Sequence, residues 1–166
     1  MMEEITLTDT IEIRTTPERI FSFITGLVDT ESYVAWHPED HVSMRWLQGE
    51  PWHEGSVAEA AEYMHGKIHR LKFVVTHVEP NRRIDYTTPS RLLRRYVPGN
   101  TFEIEPKGDS TLFIATGRLR VGWILKKLLG KHLRNNLEGI KKHMKEEGEN
   151  LKRILEAESV YWGTDI

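Results

Sequence analysis

The chain has 166 residues and a formal net charge of −2, from 23 basic and 25 acidic residues. This length suits one domain over residues 1–166, and the near-balance of charge gives no overall field that would attract nucleic acid or an acidic membrane. The chain contains no cysteine, which excludes disulfide frameworks, thiolate metal sites and cysteine nucleophiles, so nitrogen and oxygen atoms must hold any metal.

The first part of the chain predicts a strand and two short helices. Residues 5–15 alternate in polarity and are rich in β-branched side chains, which is typical of a strand. Thr16 suits an N-cap and Pro17 the first turn of a short helix. A second short helix, from about residue 30 to residue 36, ends before Pro38 because the residue preceding a proline avoids helical geometry.

The rest of the chain predicts a sheet followed by a long helix. Six strand-like runs are separated by turn residues: HVSMRWLQG, GSVAEAAEYMH, KIHRLKFVVTHVEP, RRIDYTTP, NTFEIEP and STLFIATGRLR. From about Gly122 to Glu156 the apolar period is helical. We therefore expect an α+β fold, in which a curved antiparallel sheet of about seven strands wraps around a long C-terminal helix and leaves a ligand cavity between them.

Polar side chains interrupt the apolar stripe of the predicted long helix. At helical spacing this stripe contains His132, Asn136, Ile140, His143, Glu147, Leu151 and Ile154. His143 and Glu147 are four residues apart, so both project from one face with Cβ atoms about 6 Å apart, as ligand pairs on metalloprotease helices do. A solvated surface is the alternative interpretation of this pair, and His132 lies either in the cavity or at the shallow edge of the stripe.

The second strand-like run offers a carboxylate. A period of two places Ala58, Ala60, Glu62 and Met64 on one face, where the small alanines leave room above the sheet. A carboxylate that faces a cavity needs a partner, which is either a metal or a nearby basic residue. Glu59 takes this place if the opposite face points inward.

The stretch YVAWHPEDHV (residues 33–42) offers two imidazoles. His37 lies in the turn after the second short helix, and His41 begins the next strand; each is either at the cavity mouth or on the surface. Two imidazoles and two carboxylates without sulfur suit Zn²⁺ and also accept Mn²⁺ or Fe²⁺. Three separate segments therefore predict one metal site.

The order of elements resembles the helix-grip fold of the START/Bet v1-like superfamily of polyketide cyclases and lipid carriers, over nearly the whole chain. A narrower resemblance lies in WHPEDH (36–41), EYMHGKIHRL (62–71) and HMKEEGENL (143–151). These segments are similar to the metal-bearing segments of the carbon–carbon hydrolases typified by diacetylphloroglucinol hydrolase and phloretin hydrolase. Those hydrolases carry an extra N-terminal portion that shapes substrate binding, whereas the first strand predicted here begins near residue 5.

The narrower resemblance implies a zinc ion and a hydrolytic function. The implied ligands are His37, Glu62, His143 and Glu147, with His41 as the alternative to His37. The implied substrate is a small aromatic or acyl-ketone, polyketide-like molecule, and Asp40, His41 and His132 are by position the candidates for proton transfer. Four protein ligands leave room for a reaction only if the metal expands its shell or one carboxylate moves away, so a structural metal is the alternative.

A second hypothesis is a protein that binds or transports a lipid, polyketide or aromatic molecule without chemistry. Its cavity would be lined by Met64, Phe73, Trp123, Leu125, Leu129 and Ile140, residues that equally suit a plain core.

Other partners are limited by the charged residues and the termini. The basic residues considered for nucleic acid or phospholipid headgroups are Arg91, Arg94, Arg95, Arg118, Arg120, Lys126, Lys127 and Lys131. We interpret them as solvated and expect no nucleic acid partner, because among nearby aromatic residues only Tyr96 could stack on a base. Tyr161 and Trp162 pack either on the domain or on a second subunit, which would make a homodimer. The acidic N-terminus and the lack of a long apolar run predict a cytoplasmic protein without a membrane span.

Overall fold

The computed structural model describes the backbone of residues 1–162 and the side chains of residues 1–158. Its strands are β1 (Met2–Ile13), β2 (His41–Gln48), β3 (Val57–Met64), β4 (Lys67–Glu79), β5 (Arg83–Thr87), β6 (Gly99–Lys107) and β7 (Ser110–Gly122). Its helices are α1 (Pro17–Thr25), α2 (Thr30–Trp36), α3 (Trp123–Leu128) and α4 (Gly130–Trp162), with a single 3-10 turn at Leu93–Arg95. The predicted packing of the Tyr161 and Trp162 side chains lies outside the described residues.

The strands form one antiparallel sheet in the order β1-β7-β6-β5-β4-β3-β2, so β1 and β2 are its two edges. The two short helices lie between β1 and β2 in the chain, as the sequence predicted. Thr16 caps α1 by accepting a hydrogen bond from Arg19 N, and Asp29 caps α2 by accepting one from Ser32 N. The predicted α+β helix-grip fold is confirmed.

The concave face of the sheet carries the core. Along β1 the inward residues Leu7 and Ile13 are buried, and they alternate with outward polar residues, as a sheet with one wet face requires. Aromatic rings continue the core across the middle strands, with centroids 5.3 Å apart at Phe73–Tyr86, at Tyr86–Phe102 and at Phe102–Phe113. Such contacts bury large rings, and the ring pairs add to the stability of the core.

Helix α4 packs along β1 through a small residue. A Cβ atom on Gly148 would lie 3.2 Å from Asp9 Oδ2 and 3.3 Å from Ile11 Cγ2, so glycine allows the helix to approach this strand closely. Further along, the buried Leu151 and Leu155 join the core. The second half of α4 is therefore fixed against the sheet.

The single C-terminal helix predicted from the sequence is divided into α3 and α4. Leu129, between them, leaves helical geometry with φ −115° and ψ 19°, and Gly130 is a weak helix former. All five apolar residues from Trp123 to Leu129 are exposed, so α3 contributes none of the buried residues. Within the described residues, no helix combines the length and apolarity needed to cross a bilayer.

Candidate metal centre

A short turn places His41 at the start of β2. Helix α2 ends at Trp36, and the turn that follows is closed by the hydrogen bond from His41 N to His37 O, at 2.9 Å. His41 is buried, and its ring stacks on Tyr33 with centroids 3.8 Å apart. Its Nδ1 lies 2.8 Å from the carbonyl oxygen of Tyr33, which can only accept a hydrogen bond. Nδ1 therefore carries the proton, and Nε2 is left for another partner.

Helix α4 contributes His143, which is held in the same manner. Its Nδ1 lies 2.9 Å from Asp40 Oδ2, so the carboxylate accepts the Nδ1 proton. In both rings one nitrogen donates a hydrogen bond to a carboxylate or carbonyl oxygen, and the other nitrogen points inward. Histidines that bind metals show the same arrangement.

Two carboxylates meet the inward nitrogens of these imidazoles. Glu147 Oε1 lies 2.8 Å from His41 Nε2 and 2.9 Å from His143 Nε2. Glu62 Oε2 lies 3.7 Å from His143 Nε2, and the hydroxyl of Tyr33 donates a hydrogen bond to the other oxygen of Glu62. One ligand atom from each of these four residues lies within 4.8 Å of all the others.

This donor set suits a divalent cation. Because both Nδ1 protons are already donated, imidazoles in their neutral form would direct two Nε2 lone pairs at the carboxylate of Glu147, which is repulsive unless a proton or a cation lies between them. Among the described residues, His143 Nε2 is a buried atom without a hydrogen-bond partner, although Glu147 Oε1 lies 2.9 Å away. A buried polar atom left in this way is costly. A cation between the two imidazoles and the two carboxylates would satisfy all four groups, and nitrogen and oxygen ligands suit zinc.

Without a cation the cluster retains protons instead. Burial disfavours the charged form of His143 and is the largest effect, but the nearby carboxylates of Glu147, Glu62 and Asp40 outweigh it and raise the pKa of His143. Burial likewise disfavours the charged form of Glu147, yet the nearby imidazoles of His143 and His41 outweigh it and lower the pKa of Glu147. Burial, followed by the charges of Glu62 and Glu147, raises the pKa of Tyr33. His143 therefore favours its protonated form beside an ionised Glu147, and the two opposite charges stabilise each other.

Of the two glutamates that the sequence left open on β3, Glu62 lies in the cluster. Glu62 is paired across the sheet with His41, on the face that also carries the buried Ala58 and Ala60. Glu59 points to the opposite face, where it forms an ion pair with Arg45 at 3.2 Å.

Of the two histidines in the turn, His41 rather than His37 lies among the four clustered residues. His37 is 2% exposed, and both its nitrogens are used: Nδ1 accepts from Asp40 N at 3.3 Å and Nε2 donates to Glu146 Oε2 at 2.9 Å. It stacks against His143 with ring centroids 5.3 Å apart. A second and smaller group of potential ligand atoms, from His37, Asp40 and His143, shares His143 with the first.

The three residues proposed for proton transfer fall in different places. Asp40 contacts His143, and His41 lies in the cluster as described. His132 is exposed, and it precedes His143 by 11 residues on α4, which is about 16 Å along the helix axis. The structure does not bring His132 to the cluster.

Sequence reasoning missed Tyr33. This residue is 6% exposed; its ring supports His41, its carbonyl orients His41, and its hydroxyl orients Glu62. The only sequence signal was its place beside Trp36 on the apolar side of a short helix, which indicates burial and gives no hint of a polar role. The proposed cavity lining also differs, because Trp123, Leu125 and Leu129 are between 45% and 66% exposed.

Known structures share this fold across nearly the whole chain. The structure of TTHA0849 from Thermus thermophilus has a TM-score of 0.69 at 18% identity, covering 93% of this chain and 99% of that one. Norcoclaurine synthase from Thalictrum flavum, solved with a transition-state analogue, has a TM-score of 0.70 at 11% identity, covering 96% and 98%. The major latex-like protein 151 of Panax ginseng has a TM-score of 0.58 at 14% identity, covering 84% and 97%.

Identity this low shows the fold alone. No curated protein sequence matches the chain. A family model described as polyketide cyclase / dehydrase and lipid transport matches residues 4–156. Because that match covers most of the sequence, the chain belongs to the polyketide cyclase, dehydrase and lipid transport family.

Proposed function

We propose that this protein is a metal-dependent hydrolase, with zinc bound by His41, Glu62, His143 and Glu147, that acts on a small aromatic or acyl-ketone substrate. The observation that carries the proposal is the convergence of two pre-oriented Nε2 atoms and two carboxylates from three separate segments. The resemblance of those segments to metal-dependent carbon–carbon hydrolases supports the reaction class. Mn²⁺ and Fe²⁺ are alternative occupants, since both accept nitrogen and oxygen ligands.

When bound, zinc would polarise a substrate carbonyl or lower the pKa of a bound water. The side chains around it have separate tasks. Asp40 holds the proton of His143 on Nδ1, and the carbonyl of Tyr33 does the same for His41, so both rings present Nε2. The hydroxyl of Tyr33 fixes one oxygen of Glu62. Asp40 and Tyr33 therefore orient the ligands. Cleavage further requires a proton donor near the substrate carbon; because Asp40 and His41 are engaged at the candidate metal centre, His132 stays the prediction for this role.

The first experiment measures metal content by elemental mass spectrometry on untagged protein that is purified without chelator. We expect about one equivalent of zinc, manganese or iron per chain in the parent and a large loss in His41→Ala and His143→Ala. His132→Ala is the matched control, because this exposed histidine lies on the same helix as His143 and should leave the metal in place. Absence of metal from folded parent protein, even after metal is added, would exclude the proposal.

The second experiment screens acylated phenols and related ketones for metal-dependent cleavage. If His132 transfers a proton, His132→Ala retains the metal and loses turnover, whereas unchanged turnover would mean that His132 has no part in the reaction.

A further variant distinguishes the two histidines of the turn. His37→Ala retains the metal if His41 is the ligand and releases it if the ligand is His37. Circular dichroism on each variant separates loss of function from loss of fold.

A second candidate function is the binding or transport of a hydrophobic small molecule without chemistry. The family description, which includes lipid transport, favours it, as does a concave sheet face continued by aromatic side chains such as Phe73 and Tyr86. It predicts saturable binding of an apolar fluorescent probe that is unaffected by His143→Ala. Metal-dependent turnover in the screen would select the hydrolase instead.

A further inference from the structure

The basic residues of this chain are concentrated in two internal segments that contain no acidic residue. Residues 88–98 and 118–134 contain nine of the 23 basic residues and none of the 25 acidic ones. The remainder therefore has 14 basic and 25 acidic residues, so a charge of +9 in these two segments is offset by −11 elsewhere. The overall charge of −2 conceals this separation.

The two segments form one surface, which we call the basic apolar surface. The first segment joins β5 to β6, and the second runs from the end of β7 through α3 into α4. The hydrogen bond from Arg120 N to Tyr96 O, at 2.6 Å, joins them directly. In an antiparallel sheet alternate connections lie at the same end. The β3–β4 turn and the first residue of β2 therefore share this end, and with them Glu62 and His41.

The same surface exposes an unusual amount of apolar side chain. On α3 and the residue after it, the exposed fractions are 66% for Trp123, 66% for Ile124, 51% for Leu125, 75% for Leu128 and 45% for Leu129. The loop before β6 adds Leu92 at 65% and Leu93 at 53%. Contiguous apolar exposure of this kind, mixed with polar residues, marks an interaction site.

Most of the basic side chains on this surface have no acidic partner. Glu4 pairs with Arg120 at 3.0 Å and Glu3 with Lys126 at 2.6 Å. Within the described part of the chain, the exposed Arg91, Arg95, Lys127, Lys131 and Arg134 make no ion pair. The ammonium of Lys127 lies 5.3 Å from the ring centroid of Trp123, so the positive charge sits beside the largest apolar side chain.

We propose that the basic apolar surface docks the protein onto an anionic lipid membrane. Exposed tryptophan, leucine and isoleucine interleaved with lysine and arginine match the two layers of a bilayer surface, acyl chains beneath negatively charged headgroups. A second copy of the chain fits less well, because a symmetric dimer through this surface would oppose two strongly positive surfaces. Nucleic acid fits less well too, since exposed aliphatic side chains neither stack on bases nor pair with phosphates.

Docking in this orientation would change how an apolar molecule reaches the candidate metal centre. The end of the sheet that carries His41 and Glu62 would face the membrane, so an apolar molecule dissolved in the bilayer would reach these residues without crossing water. The docking itself does not depend on the metal or on the hydrolase activity, and the two proposals fail independently.

The test is co-sedimentation of the full chain with vesicles of phosphatidylcholine alone and of phosphatidylcholine mixed with phosphatidylglycerol. We expect binding to the mixed vesicles only, and weakening with added salt. Lys127→Glu should weaken binding roughly tenfold to thirtyfold, since each basic residue near an anionic surface adds a few-fold to affinity. Lys141→Glu, which alters an exposed lysine on α4 outside the basic apolar surface, is the matched control and should bind as the parent does.

The apolar contribution is tested with Ile124→Ser/Leu128→Ser against Leu47→Ser, which alters an exposed leucine on β2. The first variant should lose most of its binding and the second should retain it. The vesicle-induced blue shift of tryptophan fluorescence should be largely lost in Trp123→Phe. Any one of four results would overturn the proposal. These are equal binding to neutral vesicles, no effect of either surface variant, dimerisation that Ile124→Ser/Leu128→Ser abolishes, and binding to oligonucleotides in place of vesicles.

Discussion

Asp40 determines how well His143 can serve as a ligand. A carboxylate on Nδ1 fixes the tautomer and the ring orientation of a histidine and makes its other nitrogen more basic. Asp40 Oδ2 has this position, 2.9 Å from Nδ1 of His143. Its neighbour Glu39 belongs to the same turn but is exposed, so the two acids offer a matched pair.

We predict that Asp40→Asn weakens zinc binding about tenfold to a hundredfold while the fold is retained, because loss of a carboxylate partner typically has this effect on metal affinity. Glu39→Gln should bind as the parent does. The measurement is a competition titration against a chromophoric chelator. Equal affinities in Asp40→Asn and the parent would mean that the hydrogen bond to His143 has no part in binding.

At the scale of residues, the sequence predicts which side chains project in a regular element and fails where the backbone turns. Strand alternation placed Glu62 and Glu59 on opposite faces of β3, and the small alanines beside Glu62 indicated room above its face. Which of the two faces points inward stayed open, because alternation alone does not decide it. His143 and Glu147 could be paired because their spacing matches one helical turn. The choice between His37 and His41 could not be made, since it depends on the dihedral angles of the turn formed by the three residues between them.

At the scale of elements, two glycines in α4 differ in what surrounds them. Gly148 lies against β1, where an added Cβ atom would be in tight contact with Asp9 and Ile11, at 3.2 Å and 3.3 Å. Gly139 is contacted by the exposed imidazole of His65, from the β3–β4 turn, and that side chain is free to rotate away. The first glycine is required by packing and the second is not.

We therefore predict opposite effects on the free energy of unfolding, measured by urea titration. Gly148→Leu should destabilise the protein by about 1–3 kcal/mol, because the added side chain forces α4 away from β1. Gly139→Ala should stabilise it by about 0.5–1 kcal/mol, since alanine is the better helix former and His65 can move. If Gly148→Leu leaves stability unchanged, the close approach of α4 to β1 is not required.

The helix also explains why His132 was predicted for the cluster and does not lie in it. Eleven residues make very nearly three full turns, so His132 and His143 project from the same side of α4. The helical period predicts the side of the helix from which a residue projects. It does not predict which turns of the helix pack on the sheet. The described first turns of α4 are mostly exposed, whereas the turns after His143 are packed on the sheet.

At the scale of the molecule, the candidate metal centre joins the two edges of an open sheet. Helix α4 is anchored on β1 at one edge, and His143 and Glu147 face His41 and Glu62, which belong to the strands at the opposite edge. An ion bound there would connect elements that are more than 100 residues apart in sequence, as the separation of His41 from Glu147 by 106 positions shows. Such a set of ligands exists only in the folded chain, so binding free energy adds to folding stability.

We predict that zinc raises the melting temperature of chelator-treated protein by roughly 5–10 °C when free zinc is about a hundred times the dissociation constant. Saturation to that degree adds about 2.7 kcal/mol, and for a chain of this length each kcal/mol raises the melting temperature by about 2–4 °C. Glu62→Ala should lose most of the shift, and Glu59→Ala should keep it, because these residues lie on opposite faces of β3. Scanning calorimetry with and without zinc measures both. An equal shift in Glu62→Ala and the parent would mean that the ion binds elsewhere. The connection between the two sheet edges would then rest on direct contacts of α4 with β2 and the turn before it, such as Glu147 with His41 and His143 with Asp40.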